Sequence, residues 1–214
     1  MVSYTPSHRE GGFTLVEVIV VLAVVLLLSG IAVPLISGYV EDGRRARAEA
    51  EVKMLAAAIS SAYKDVGIFP SRNSSGNNST VRSLYSGPTA PTASTYVASS
   101  THNFYQWAAS PINGDSLDNQ LLSNTPQGLA GGAYPTTGNI RWRGPYLAGP
   151  SPLDPWGRPY LINVFSAFNT SALNNKRIFV LSAGPDGRIN TSQRARATDD
   201  IAGDDIAIIL HQRR

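Results

Sequence analysis

The chain contains no cysteine. That excludes disulfides, thiolate metal sites, cysteine nucleophiles and thioether lipid anchors. Three histidines in 214 residues are too few for a His-based zinc site. Charge is sparse: Asp, Glu, Lys and Arg make up 15% of the chain, below the roughly 25% usual in soluble domains. The net charge of +3 is too mild to point to nucleic acid. Gly and Pro, at 19 and 14, exclude collagen and Pro-rich disorder. There is no phosphate-binding glycine loop and no Gly-x-Ser-x-Gly elbow, and His102 and His211 have no plausible nucleophile partner in sequence. An enzyme is not expected.

What the chain does have is one long apolar run. Val18 to Leu28 is apolar without a break. The run from Leu15 to Ile36 is about 22 residues, or roughly 33 Å as a helix, enough to cross the hydrocarbon core of a bilayer. Only Glu17, Ser29, Gly30 and Pro34 interrupt it. A buried helix of a soluble protein would keep a polar face. A cleaved secretory signal would place its site at Gly30-Ile31-Ala32, but a carboxylate inside the apolar run does not suit that class. A retained membrane helix is the leading reading. Glu17 then needs an explanation, since a carboxylate in a membrane helix costs about 2.5–3.5 kcal/mol at the bilayer centre, and less near its edge.

Pro34, flanked by Gly30 and Gly38, predicts a kink or local unwinding between about residues 30 and 43. Arg44 to Val66 reads as an amphipathic helix with Ala48, Val52, Leu55, Ile59, Tyr63 and Val66 on one face and Arg47, Glu51 and Lys53 on others. That face is expected to pack on the protein's own globular part. Gly67 ends the helix and Pro70 follows. Residues 71–101 are rich in Ser, Thr, Asn, Gly and Pro and read as a long surface loop. The scattered aromatics of 103–147, among them Trp107 and Tyr134, lack basic clustering and read as packing residues rather than a base-stacking surface. β-like stretches follow at Leu161–Phe165, Arg177–Ser182 and Ile206–Leu210. The fold class is α+β: a long N-terminal helix packed on a small antiparallel sheet with long loops.

Five aspartates cluster late in the chain: Asp186, Asp199, Asp200, Asp204 and Asp205. Oxygen-rich loops suit Ca2+, and Ser182, Thr191 or Thr198 can add hydroxyls. The EF-hand pattern is not met, because Arg188 stands at its third position and no terminal Glu follows. A solvated loop in which Arg188, Arg194 and Arg196 pair with the aspartates accounts for the composition equally well.

The residues Gly11-Gly12-Phe13-Thr14-Leu15-Val16-Glu17 and the apolar run after them closely resemble the class III signal of type IV pilins and type II secretion pseudopilins. The resemblance implies that a prepilin peptidase cuts between Gly12 and Phe13 and methylates the new amine. It makes Glu17 the fifth mature residue, the family's glutamate, and puts Pro34 where the family has its helix-kinking proline. In the C-terminal third, Gly144-Pro145-Tyr146-Leu147, Asp154-Pro155-Trp156-Gly157-Arg158-Pro159-Tyr160, a strand ending Leu181-Ser182, Gly184-Pro185-Asp186-Gly187 and an Asp-Ile segment are similar to the major pseudopilin of type II secretion. The resemblance covers residues 9–66 and 141–206 and leaves 71–140 unmatched. It implies a calcium ion held by Asp186 with Asp199 and Asp200 or with Asp204 and Asp205.

The expected organisation is a cleaved leader at 1–12, a transmembrane and filament-core helix at 13–37, and an amphipathic helix at 38–67. A variable loop-rich region at 68–140 and a β-rich C-terminal part at 141–214 complete it. The expected function is a structural subunit of a periplasmic pseudopilus acting as a piston in protein secretion. Its partners would be other copies of itself, the peptidase, an inner-membrane assembly platform, minor pseudopilins and, before assembly, the membrane. Two other readings stand beside it: a type IV pilin of a surface fibre, and a membrane-anchored periplasmic binding domain that never polymerises and keeps Met1–Gly12. The count of Lys and Arg, with Arg9 before the span and Arg44, Arg45 and Arg47 after it, would put the C-terminal side in the cytoplasm. The resemblance implies the opposite, a single-pass inner-membrane protein with a periplasmic head.

Overall fold

The computed structural model describes residues 12–78, 80–92, 94–96, 105–165, 177–192 and 201–212. Contacts divide the chain into two compact units, Met1–Gly43 and Arg44–Arg214.

In the first unit, Gly12 to Thr14 lack regular structure and helix α1 (Leu15–Val66) begins directly after them. Leu, Val and Ile side chains cover α1 on every side here, and all residues from Phe13 to Val33 are exposed. Among the described residues α1 is the one helix long and apolar enough to cross a membrane. So much uncovered apolar surface requires lipid or other helices around it. The local unwinding expected between residues 30 and 43 is absent: the segment is helical throughout, Pro34 included. Proline removes one backbone hydrogen bond, and the intact turns on either side outweigh that single loss.

In the second unit, the rest of α1 follows the predicted periodicity. Ala48, Val52, Leu55, Ile59 and Val66 are buried. Tyr63 is a correction: it is exposed, its ring stacked on Phe69 at 4.3 Å, and Ala62 takes its place in the core. The small side chains of Ala56, Ala58 and Ala62 let the sheet approach the helix closely. Gly67, at φ +75, closes α1 by donating its N–H to Tyr63 O at 2.8 Å, a left-handed cap that only glycine adopts without strain.

Five strands form one sheet in the order β2-β1-β3-β4-β5: β1 (Ser83–Tyr85), β2 (Gly114–Ser116), β3 (Leu161–Asn163), β4 (Arg177–Ser182) and β5 (Ile206–Gln212). β1 pairs with β3, β3 with β4 and β4 with β5 in antiparallel fashion, whereas β1 and β2 are parallel. The sheet is therefore mixed, not purely antiparallel as expected. The chain between β1 and β2 is long and carries a helix, α2 (Tyr105–Ala109), and parallel neighbours require such a crossover. A bulge between Ile178 and Phe179 shifts the β4–β5 register.

Successive side chains of β4 serve two cores. Ile178 and Val180, with Leu84 and Ile162, face the α1 side with Leu55 and Ile59. Phe179 and Leu181, with Leu161, pack against Tyr96, Tyr105 and Ile189 on the other side. A polar link joins α1 to the Asp154–Tyr160 motif. The fully buried Tyr160 donates its hydroxyl to Glu51 Oε2 at 2.6 Å, and Arg47 Nε holds Oε1 at 2.8 Å. Glu51 is thus half-buried and paired rather than on a free outer face. Tyr160→Phe is expected to lower stability by about 1–3 kcal/mol in urea or thermal melts, because a largely dehydrated carboxylate oxygen loses its donor.

Candidate functional site

The N-terminal site is built from four residues. Thr14 ends the irregular segment and caps α1: its Oγ1 accepts the Glu17 N–H at 3.3 Å, and its carbonyl accepts the Val18 N–H at 3.3 Å. Glu17 therefore lies in the first helical turn, in the Thr-x-x-Glu spacing of a capping box. A carboxylate is favoured there by the positive end of the helix. The Gly12–Phe13 peptide lies ahead of the helix, with open space around the Gly12 Cα. The role of Thr14 was readable from its spacing to Glu17 but was not part of the expectation.

The acidic site lies in the second unit, where the chain turns between β4 and β5. Asp186 is exposed and takes its own loop's Arg188 N–H on Oδ1 at 2.7 Å. Asp204 Oδ2 accepts the Asp186 N–H at 3.1 Å. Gly184, at φ +62, allows this approach, since a Cβ there would sit 2.3 Å from Asp204 O. Asp205 is 8% exposed; its Oδ2 accepts the Asn190 and Thr191 N–H groups at 3.0 and 2.6 Å. Its Oδ1 is buried with no hydrogen-bond partner. Burial pushes the Asp205 carboxyl up to about 6, against the hydrogen bonds of Thr191 and Asn190.

Of the five aspartates, Asp186 and Asp204 thus meet at the Gly184–Gly187 turn, while Asp205 binds the backbone of Asn190 and Thr191. Asp199 and Asp200 lie outside the described residues. Among the described residues no three Asp, Glu or His side chains gather as a ready metal cluster.

Comparison with known proteins now bears on both sites. Residues 7–33 match the family model of the prokaryotic N-terminal methylation motif, and residues 109–201 match that of type II secretion system (T2SS) protein G. The two matches mark the chain as type IV pilin-like, its second half similar to the pseudopilin of type II secretion. Neither the curated proteins nor the solved structures contain a significant match. The two family matches together span more than half of the chain. The protein G match begins at Ala109, inside the region expected to be unmatched, and ends at Ile201, before the second Asp-Asp-Ile.

The pilin-like chain uses its Asp154–Tyr160 motif as a clamp. Asp154 Oδ1 accepts the Trp156 and Arg158 N–H groups at 3.1 and 2.8 Å, and Oδ2 accepts the Ser182 hydroxyl at 2.8 Å. Arg158 reaches across to donate to the Gly184 carbonyl. Burial holds the Asp154 carboxyl above its ordinary range, opposed by the bonds from Arg158 and Ser182. The motif was recognisable in the sequence, but its grip on the acidic turn was not, because residues 154 and 184 meet only through the β3–β4 pairing.

Proposed function

We propose that this pilin-like subunit polymerises through its N-terminal helix into a periplasmic pseudopilus that acts as a piston in type II secretion. The observation that carries this reading is the first half of α1: an uncovered apolar run, Leu15 to Ile36, whose lone carboxylate stands in the first turn, four residues after Phe13. A prepilin peptidase would cut after Gly12, leaving a cationic amine on Phe13. In the filament, Glu17 of one copy would meet that amine on its neighbour, each charge offsetting the burial cost of the other. Pro34 removes one backbone bond within the packed helices and would let them bend. Before assembly the helix anchors the chain in the inner membrane with the second unit in the periplasm. There, the assembly platform and minor pseudopilins are the further partners.

The reading extends to Ca2+ at the acidic turn, held by Asp205 with Asp204, and by Asp186 or the Asp199–Asp200 pair. The unpartnered, buried Oδ1 of Asp205 fits a hard cation, which binds oxygen ligands. Such an ion would stabilise a domain that has no disulfides, because it binds only the folded form.

Two measurements test the function. Mass spectrometry of the membrane-extracted chain should find a methylated Phe13 as the first residue; a chain that keeps Met1–Gly12 would overturn assembly in favour of an anchored, non-polymerising domain. Electron microscopy of sheared cells at native expression should find no long surface fibre containing this chain. Abundant fibres would make it a type IV pilin.

A further inference from the structure

Asp205 stands at the entry to β5, and the fold holds its carboxylate by one oxygen only. Oδ2 accepts the Asn190 and Thr191 N–H groups. Ala202 ties the same loop down by donating its N–H to Thr191 Oγ1 at 3.1 Å. Gly203, at φ +67, lies so close to Asn190 that a Cβ there would sit 2.3 Å from Nδ2. The carboxylate cannot turn out to water without giving up both of its bonds, so Oδ1 stays buried without a partner.

Asp205 lines an open cavity of about 340 Å3 within the second unit, and Glu49, Val52 and Lys53 of α1 line it too. Steps of three and four residues put these three on one face of the helix. Val52 is buried, whereas Glu49 and Lys53 are exposed. Ile201 and residues 206–208 make the rest of the lining apolar. Glu four residues ahead of Lys is the favoured order for an ion pair along a helix. Among the described residues, however, neither Glu49 nor Lys53 makes an ion pair or a side-chain hydrogen bond. Two carboxylates and one ammonium thus share a cavity otherwise lined by apolar side chains.

We propose that Glu49 and Lys53 set the affinity of the cation site at Asp205 from the α1 side of this cavity. The proposal rests on the reading that Asp205 binds Ca2+. Glu49 supplies a second carboxylate, directly or through a water it holds, to a cation that takes six to eight oxygen ligands. Lys53 supplies an opposing charge. Apolar walls screen charge less than bulk water does, so both are felt at Asp205. Filling the site then needs more calcium than Asp205 and Glu49 alone would require, and the bound ion links the loop before β5 to α1.

The test uses the full-length protein in detergent, stripped with chelator and titrated with Ca2+, with calcium uptake read by calorimetry. Glu49→Gln is expected to raise Kd about tenfold and Lys53→Gln to lower it about tenfold, since each removes one unit charge near a divalent ion. Tm in chelator should stay at the parent value for both, because these side chains are exposed and unbonded. Lys53→Glu should bind more tightly still, and it carries the test should Glu49→Gln fail to fold. General damage to the fold cannot move Kd in opposite directions from two residues one helical turn apart. Kd values equal to the parent's, or shifted in the same direction by Glu49→Gln and Lys53→Gln, would overturn the role of α1 while leaving calcium at Asp205 standing. A parent that takes up no calcium would overturn the reading beneath the proposal, and the proposal with it.

Discussion

Glu17→Ala is expected to leave membrane insertion intact and to abolish filament assembly. The two effects separate for a physical reason. In the lone subunit the carboxylate is a cost to insertion, of up to about 2.5–3.5 kcal/mol at the bilayer centre and less near the edge. Alanine removes that cost and is a better helix former, so the variant should reach the membrane at least as well as the parent. In the proposed filament the same carboxylate would be the counter-charge of a neighbour's amine. Without it, each Phe13 amine would be packed among apolar helices unpaired, and removing one partner of a buried pair typically costs about 3–5 kcal/mol. That penalty recurs at every subunit, so growth should stop rather than slow. Membrane fractionation and electron microscopy read the two halves separately. Glu17→Gln keeps the shape and the Thr14 cap, so it should fail as alanine does if charge is the active property. Normal filaments from either variant would refute the pairing.

Asp205→Asn is expected to remove the calcium response of the folded chain. In the full-length protein in detergent, Ca2+ at 100 times its dissociation constant should stabilise the parent by about 2.7 kcal/mol, read as a rise in Tm over the chelator-treated sample. The asparagine variant should show no rise. It should also melt higher than the parent in chelator, because the parent buries Asp205 at 8% exposure with Oδ1 unsatisfied. A neutral amide of the same shape avoids the cost of a charge held away from water. These opposite signs, a gain without calcium and a loss with it, separate ion binding from general damage. A parent Tm that ignores both calcium and chelator would remove the ion from the proposal.

The legible parts of this protein were those where one local property suffices. Apolar length marked α1, and steps of three or four residues marked Val52, Leu55 and Ile59 as core. Gly67 marked the helix end, and β-branched runs marked β3, β4 and β5. Strands β1 and β2 were not legible. Each is three residues long, and Ser83-Leu84-Tyr85 sits in a polar stretch whose average reads as loop. They exist because β3 offers β1 a paired edge and α2 carries the chain across to β2. Tyr63 was misplaced because an aromatic at helical spacing reads as core, while its actual partner, Phe69, lies beyond the cap.

The N-terminal site was decided by the sequence alone. Its members, Gly12, Phe13, Thr14 and Glu17, are neighbours along the chain, so helix geometry relates them without help from any distant residue. The acidic site depended on tertiary structure. Burial, unlike spacing, separates Asp205 from Asp186: one carboxylate is enclosed with an unpartnered oxygen, the other is exposed and bonded to its own loop. Composition weighs all five aspartates alike, because desolvation belongs to the packed chain and not to the residue.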